Sequence, residues 1–152
     1  MSRKVVDHVL IALGILAAII FIVYGIYFAT ILRGNPQSME GEMREAFALW
    51  LEKEGGSSRL RLSILLLGSL LLELAYFVLA FSLLHNPVMT ILTLILAGEE
   101  LLHLGVVINA VSKYWAGKIT ARQIFNWIIE RVSAIFFFTH AFLVLISILV
   151  FH

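Results

Sequence analysis

The chain has 152 residues, 61% hydrophobic and 14% charged, with a formal net charge of +1 and a mean hydropathy of +1.00, a balance too apolar for a soluble domain to keep its surface wetted. With no cysteine it has no disulfide, thiolate metal site, iron–sulfur cluster or cysteine nucleophile. The small net charge, without a dense Lys/Arg patch, argues against a nucleic-acid partner, and the apolar stretches leave no length for a separate soluble catalytic domain.

Crossing hydrocarbon takes about 20 predominantly apolar residues. Four stretches qualify: Val5 to Leu32, Leu60 to Leu84, Val88 to Ser112 and Ile129 to Phe151. Each is expected to be a helix, because an open sheet leaves backbone groups unsatisfied in lipid and the runs lack the alternation of barrel strands. The expected fold is a single all-α membrane domain over residues 1–152, a four-transmembrane-helix bundle running up-down-up-down. The first span ends at Thr30-Ile31-Leu32-Arg33 without a small-residue cleavage site, so it reads as a retained helix rather than a signal peptide. Its pairs Gly14/Ala18 and Gly25/Ala29 suit close approach by another helix, within the bundle or outside it.

After Asn35-Pro36, residues 39–54 place Met43, Phe47, Trp50 and Leu51 on one helical face, with Glu42, Arg44, Glu45, Glu52 and Lys53 elsewhere. The pattern predicts a short amphipathic helix in the interface, ended by Gly55-Gly56-Ser57-Ser58. The connection His85-Asn86-Pro87 is short, so spans two and three form an antiparallel hairpin. Tyr114 and Trp115 read as interface aromatics. Thr120 with Gln123 resembles a capping box and predicts that the last helix starts outside the membrane.

Of the 11 Lys and Arg residues, Arg3 and Lys4 go with the termini, and Arg33, Arg44, Lys53, Arg59, Arg61, Lys113, Lys118, Arg122 and Arg131 go with the two long loops. The positive-inside rule then puts both long loops in the cytoplasm and both termini outside, in the plasma membrane of a prokaryote.

An ionisable residue at the bilayer centre costs roughly 2.5–3.5 kcal/mol on the insertion scale and demands a reason. Five lie there: Glu73 in span two, Glu99, Glu100 and His103 in span three, and His140 in span four. At 1.5 Å per residue all five fall within about 14–20 Å of the same end of their spans, a thin slab of the hydrocarbon. Glu99 and Glu100 stand four and three residues before His103, on one helical face. Glu100-Leu101-Leu102-His103 has the Glu-x-x-His pattern of carboxylate-bridged metal bundles, although only half such a site is present, since Phe137 stands three residues before His140.

Carboxylates with neutral imidazoles suit Zn²⁺, Mn²⁺ or Fe²⁺, and a divalent cation offsets the cost of burying the charges; Glu73, Glu99, Glu100, His103 and His140 are the expected metal ligands. The same residues without metal describe a proton relay, and His103 with His140 have the ligand type for haem. The leading expectation is a cation-binding membrane protein for divalent-metal or proton transport, acting as a homo-oligomer or as an accessory to another membrane protein. The alternatives are an embedded metalloenzyme or haem redox protein using the same residues, or a structural subunit. No catalytic residue stands out, since neither a phosphate loop nor a Ser/His/Asp set is present.

Several other residues admit two readings. His8, His85 and His152 read as wetted interfacial side chains or an outer metal-capture site. Glu130 and Arg131 read as anchors or as a gate at the mouth of span four, and Ser133, His140 and Ser147 form one stripe. Tyr24 and Tyr27 are placed to donate to a carboxylate.

Overall fold

The computed structural model describes residues 3–151, with side chains from 7 to 150. The side chains of Arg3 and Lys4, part of the charge reading, and His152 lie outside that range. The order is α1 (Arg3–Leu32), α2 (Pro36–Glu54), α3 (Ser58–Leu83), α4 (Pro87–Trp115) and α5 (Trp127–Phe151), with short 3-10 turns at Gly55–Ser57 and Ala121–Gln123. Among the described residues there is no strand, and four helical segments are long and apolar enough to cross a membrane.

The helix ends follow local chemistry. Gly34 turns the chain with φ +74°, a region that costs glycine nothing, and Pro36 opens α2 where its missing N–H has no intrahelical role. Pro87 opens α4 in the same way, and the Asn86 side chain accepts the Val88 N–H at 2.9 Å. At the other end of α4, Lys118 N–H donates to the Lys113 carbonyl and Gly117 N–H to that of Tyr114, a Schellman closure with Gly117 at φ +68°. The Thr120/Gln123 capping box forms, but it caps a three-residue 3-10 turn. The last helix begins at Trp127 instead, where Asn126 Oδ1 accepts from the Ile128 N–H.

The closest pairing is α1 with α5, followed by α4 with α5; α3 is held more lightly by α1 and α4. The α1–α5 seam is a ladder of stacked rings. Phe138 lies 4.8 Å from Phe21 and 4.4 Å from Phe28 between centroids, and Tyr24 lies 5.1 Å from Phe137. Gly25 faces Phe138 and Gly14 faces Ile148, so the small residues of α1 serve packing within the bundle.

Outward faces are apolar. Leu101 and Leu102 are 71% and 75% exposed, while Glu100 beside them is 7% exposed. Water would penalise that arrangement and lipid would not, so the inverted pattern agrees with the four membrane-capable helices. On α2 the buried face is Pro36, Glu40, Ala48 and Leu51, with Phe47 and Trp50 half-buried; Met43, expected on that face, is exposed.

Two apolar clusters hold the helices together. One gathers Leu13, Ala17, Tyr76, Leu96, Phe137 and Val144; the other gathers Leu51, Leu62, Val107, Val111 and Ile124. Along the sequence, Glu73 on α3, Glu99, Glu100 and His103 on α4, and Glu130 and Arg131 at the start of α5 fall between the two.

Candidate functional site

Helix periodicity puts Glu99, Glu100 and His103 on the inward side of α4, and each finds a different partner. His103 stands between two carboxylates. Its Nε2 is 3.0 Å from Glu130 Oε1 on α5, and its Nδ1 is 3.3 Å from Glu100 Oε1. Ser133 on α5, buried, donates its hydroxyl to Glu99 Oε1 at 2.7 Å, and its oxygen lies 3.4 Å from His103 Nδ1. The second oxygen of Glu99 is buried with no hydrogen-bond partner.

Glu73 approaches from α3. Ser69, one turn earlier, donates to its Oε1 at 2.8 Å. Glu73, Glu100 and His103 line one cavity of about 70 Å³ between α3 and α4, with Ser69 at its wall. Glu73 also lines a crevice of about 180 Å³ between α1 and α3, beside Tyr24 and Phe137. It is therefore reached from both flanks of α3.

His140 belongs to a different constellation. Its Nδ1 lies 2.7 Å from the Tyr76 hydroxyl and its Nε2 lies 2.8 Å from Thr93 Oγ1. Thr93 spends its proton on the Met89 carbonyl at 2.7 Å, so its oxygen accepts from His140 Nε2–H, which leaves Nδ1 to accept from Tyr76. Both nitrogens are thereby satisfied by α3 and α4 in a buried polar knot, among side chains of the first apolar cluster. Of the five residues expected together, Glu73, Glu99, Glu100 and His103 share one region and His140 does not.

A third polar contact joins α1, α2 and α5. Glu40, buried, accepts Arg131 Nε at 2.6 Å and Nη2 at 2.7 Å, and the Tyr27 hydroxyl at 2.7 Å. Glu45 accepts from Arg122 at 2.7 Å on the surface nearby. Tyr27 thus does donate to a carboxylate, whereas Tyr24 stacks on Phe137. Glu40, Ser69, Tyr76 and Thr93 are not among the residues expected at the site. Glu40 had a signal: it lies seven and eleven residues before Phe47 and Leu51, on their helical face.

Among the described residues, no three His, Asp or Glu side chains converge so as to hold a metal ion. At His103 the geometric reason is plain, since Glu100 and Glu130 face opposite nitrogens of the ring and do not share one lone-pair direction. His8 and His85 are exposed.

The class defined by these features is an all-helical protein with four membrane-capable helices around an inward acid–imidazole cluster. No family model, curated protein or solved structure matches the chain.

Proposed function

We propose that this is a proton-carrying membrane protein in which Glu130, His103, Glu100 and Glu73 relay protons between the Glu130 end of the bundle and the bilayer midplane. One observation carries the reading: the His103 ring presents opposite nitrogens to two carboxylates on different helices, at 3.0 and 3.3 Å. An imidazole so placed takes a proton at one nitrogen and gives one up at the other, and the ring flip that resets it needs only a half-turn of the side chain. The unpartnered oxygen of Glu99 supplies a further acceptor beside His103. The metal reading needs ligands converging on one point, and this ring divides them.

The relay fits a bundle whose helices alternate direction, with both termini outside, both long loops in the cytoplasm and α2 in the inner interface over the Glu130 end. Glu130 then takes protons from the cytoplasmic side and Glu73 holds them at the midplane. Beyond Glu73 lies the apolar cluster around Tyr76 and Phe137. A complete crossing therefore draws on a second copy of this chain at the flanks of α3.

The test is proton flux into liposomes carrying the purified protein and a trapped pH dye, under a potassium-diffusion potential. Flux above protein-free vesicles, lost in Glu100→Gln and His103→Gln and kept in Glu42→Gln, supports the relay. A hydrophobic carbodiimide, which reacts with protonated carboxyls reached from lipid, should label the wild type and not Glu73→Gln. Absence of flux together with stoichiometric Zn²⁺, Mn²⁺ or Fe²⁺ binding would sink the proton reading in favour of a metal site.

A further inference from the structure

A concavity lies beside the acid cluster, on the flank of α3 and α4. A groove of about 620 Å³ runs between α3 and α4, within the volume range of sites for small amphiphiles. One end is polar, formed by Arg59, Ser63, Ser112 and Trp115; the rest is apolar, running over Leu67 and Ile108 to Leu70 and Leu104. Leu70 and Leu104 also wall the cavity of Glu73, Glu100 and His103, so the groove ends against that site.

We infer that this groove holds one anionic phospholipid, its phosphate on Arg59 and one acyl chain lying along α3 and α4 toward Leu70 and Leu104. The charge pattern argues for an anion. Arg59 has no ion-pair partner among the described residues, whereas Arg61 beside it is taken by Glu54. The Arg59 guanidinium stacks on the Trp115 ring, 5.0 Å from its centroid, which fixes its plane and leaves its edge N–H groups free for phosphate oxygens. The hydroxyls of Ser63 and Ser112 stand at the same end to accept or donate to a headgroup. No carboxylate lines the groove, and Arg59 already covers the aromatic face on which a choline cation would sit. A zwitterionic headgroup thus finds a partner for its phosphate and none for its amine.

The lipid comes from the bilayer because the groove opens sideways between two lipid-facing helices. Its chain also has a consequence for the neighbouring site. Packed over Leu70 and Leu104, it shields the His103 cavity from the membrane flank. The inference rests on the groove and Arg59, and stands whether or not the cluster carries protons.

Native mass spectrometry of the full chain, released from nanodiscs of mixed phosphatidylglycerol and phosphatidylcholine with identical acyl chains, tests it. The wild type should retain phosphatidylglycerol about fivefold over phosphatidylcholine, the ratio expected of one engaged cation, and Arg59→Gln should bring that ratio close to one. Arg61→Gln should leave it unchanged. Leu70→Trp, which fills the groove and keeps Arg59, should lower retention of the lipid as a whole. Equal retention of both lipids by the wild type, an unchanged ratio in Arg59→Gln, or displacement by water-soluble glycerol phosphate would overturn the inference.

Discussion

Arg131 grips Glu40 with two parallel donors, Nε to Oε1 at 2.6 Å and Nη2 to Oε2 at 2.7 Å, across 91 positions of sequence. The residue before it, Glu130, holds His103. Adjacent residues at the start of α5 therefore tie α2 to the bundle and set the acid cluster in place, so a movement of α2 that shifts Arg131 also shifts Glu130 against His103.

Breaking the clamp on one side should cost more than removing it. Arg131→Leu leaves the nearly inaccessible carboxylate of Glu40 with Tyr27 alone and is expected to lower the melting temperature, more than loss of an exposed ion pair would. Glu40→Leu with Arg131→Leu should recover most of the loss. Thermal unfolding of the four members of that cycle in detergent reads the coupling directly, and additive losses would show that the pair is not a unit.

His140 should matter for stability and not for proton flux. His140→Phe leaves the Tyr76 hydroxyl without its acceptor in a buried site, while Thr93 keeps the Met89 carbonyl, and Tyr76→Phe leaves His140 Nδ1 without its donor, an expected cost of about 1–3 kcal/mol in each. Liposome flux per folded protein should equal wild type in both. A flux lost in Tyr76→Phe would place the knot on the proton path instead.

Glu130→Gln keeps the shape of the side chain and removes its proton exchange. The rate of proton entry is expected to fall about tenfold, as for a barrier raised by roughly 1.4 kcal/mol, with helical content unchanged by circular dichroism. Unaltered entry in this variant would move the mouth of the relay away from α5.

Gly25 tests the aromatic seam. A Cβ there meets Phe138 at 3.4 Å, ordinary contact, so Gly25→Ala should be tolerated; Gly25→Leu must push the ring off Phe21 and Phe28, for about 1–3 kcal/mol. Gly14→Ala, with Ile148 at 3.8 Å, should be neutral. Melting temperatures of the three variants order the effects.

Much of this protein was legible from hydropathy and periodicity alone. The four membrane-capable helices appear where the apolar runs lie, though α4 reaches Trp115 and α5 starts at Trp127, because loop capping and a Schellman closure set the ends and apolarity does not. Height along each helix was legible as well, since the rise of 1.5 Å per residue is a property of one helix. So was the shared face of Glu99, Glu100 and His103, which is a property of one helix.

What the sequence by itself could not decide is which helices meet and at what rotation about their axes. Glu130 joins His103, Ser133 takes Glu99, and His140 turns to Tyr76 and Thr93, because α5 packs along α1 through the Phe21–Phe138 stack and presents successive turns to different neighbours. Glu40 reached Arg131 only through the fold. Amino-acid order determined four membrane-capable apolar helices with acids and imidazoles set within them; side-chain packing between helices, which has no local signature, decided their partners.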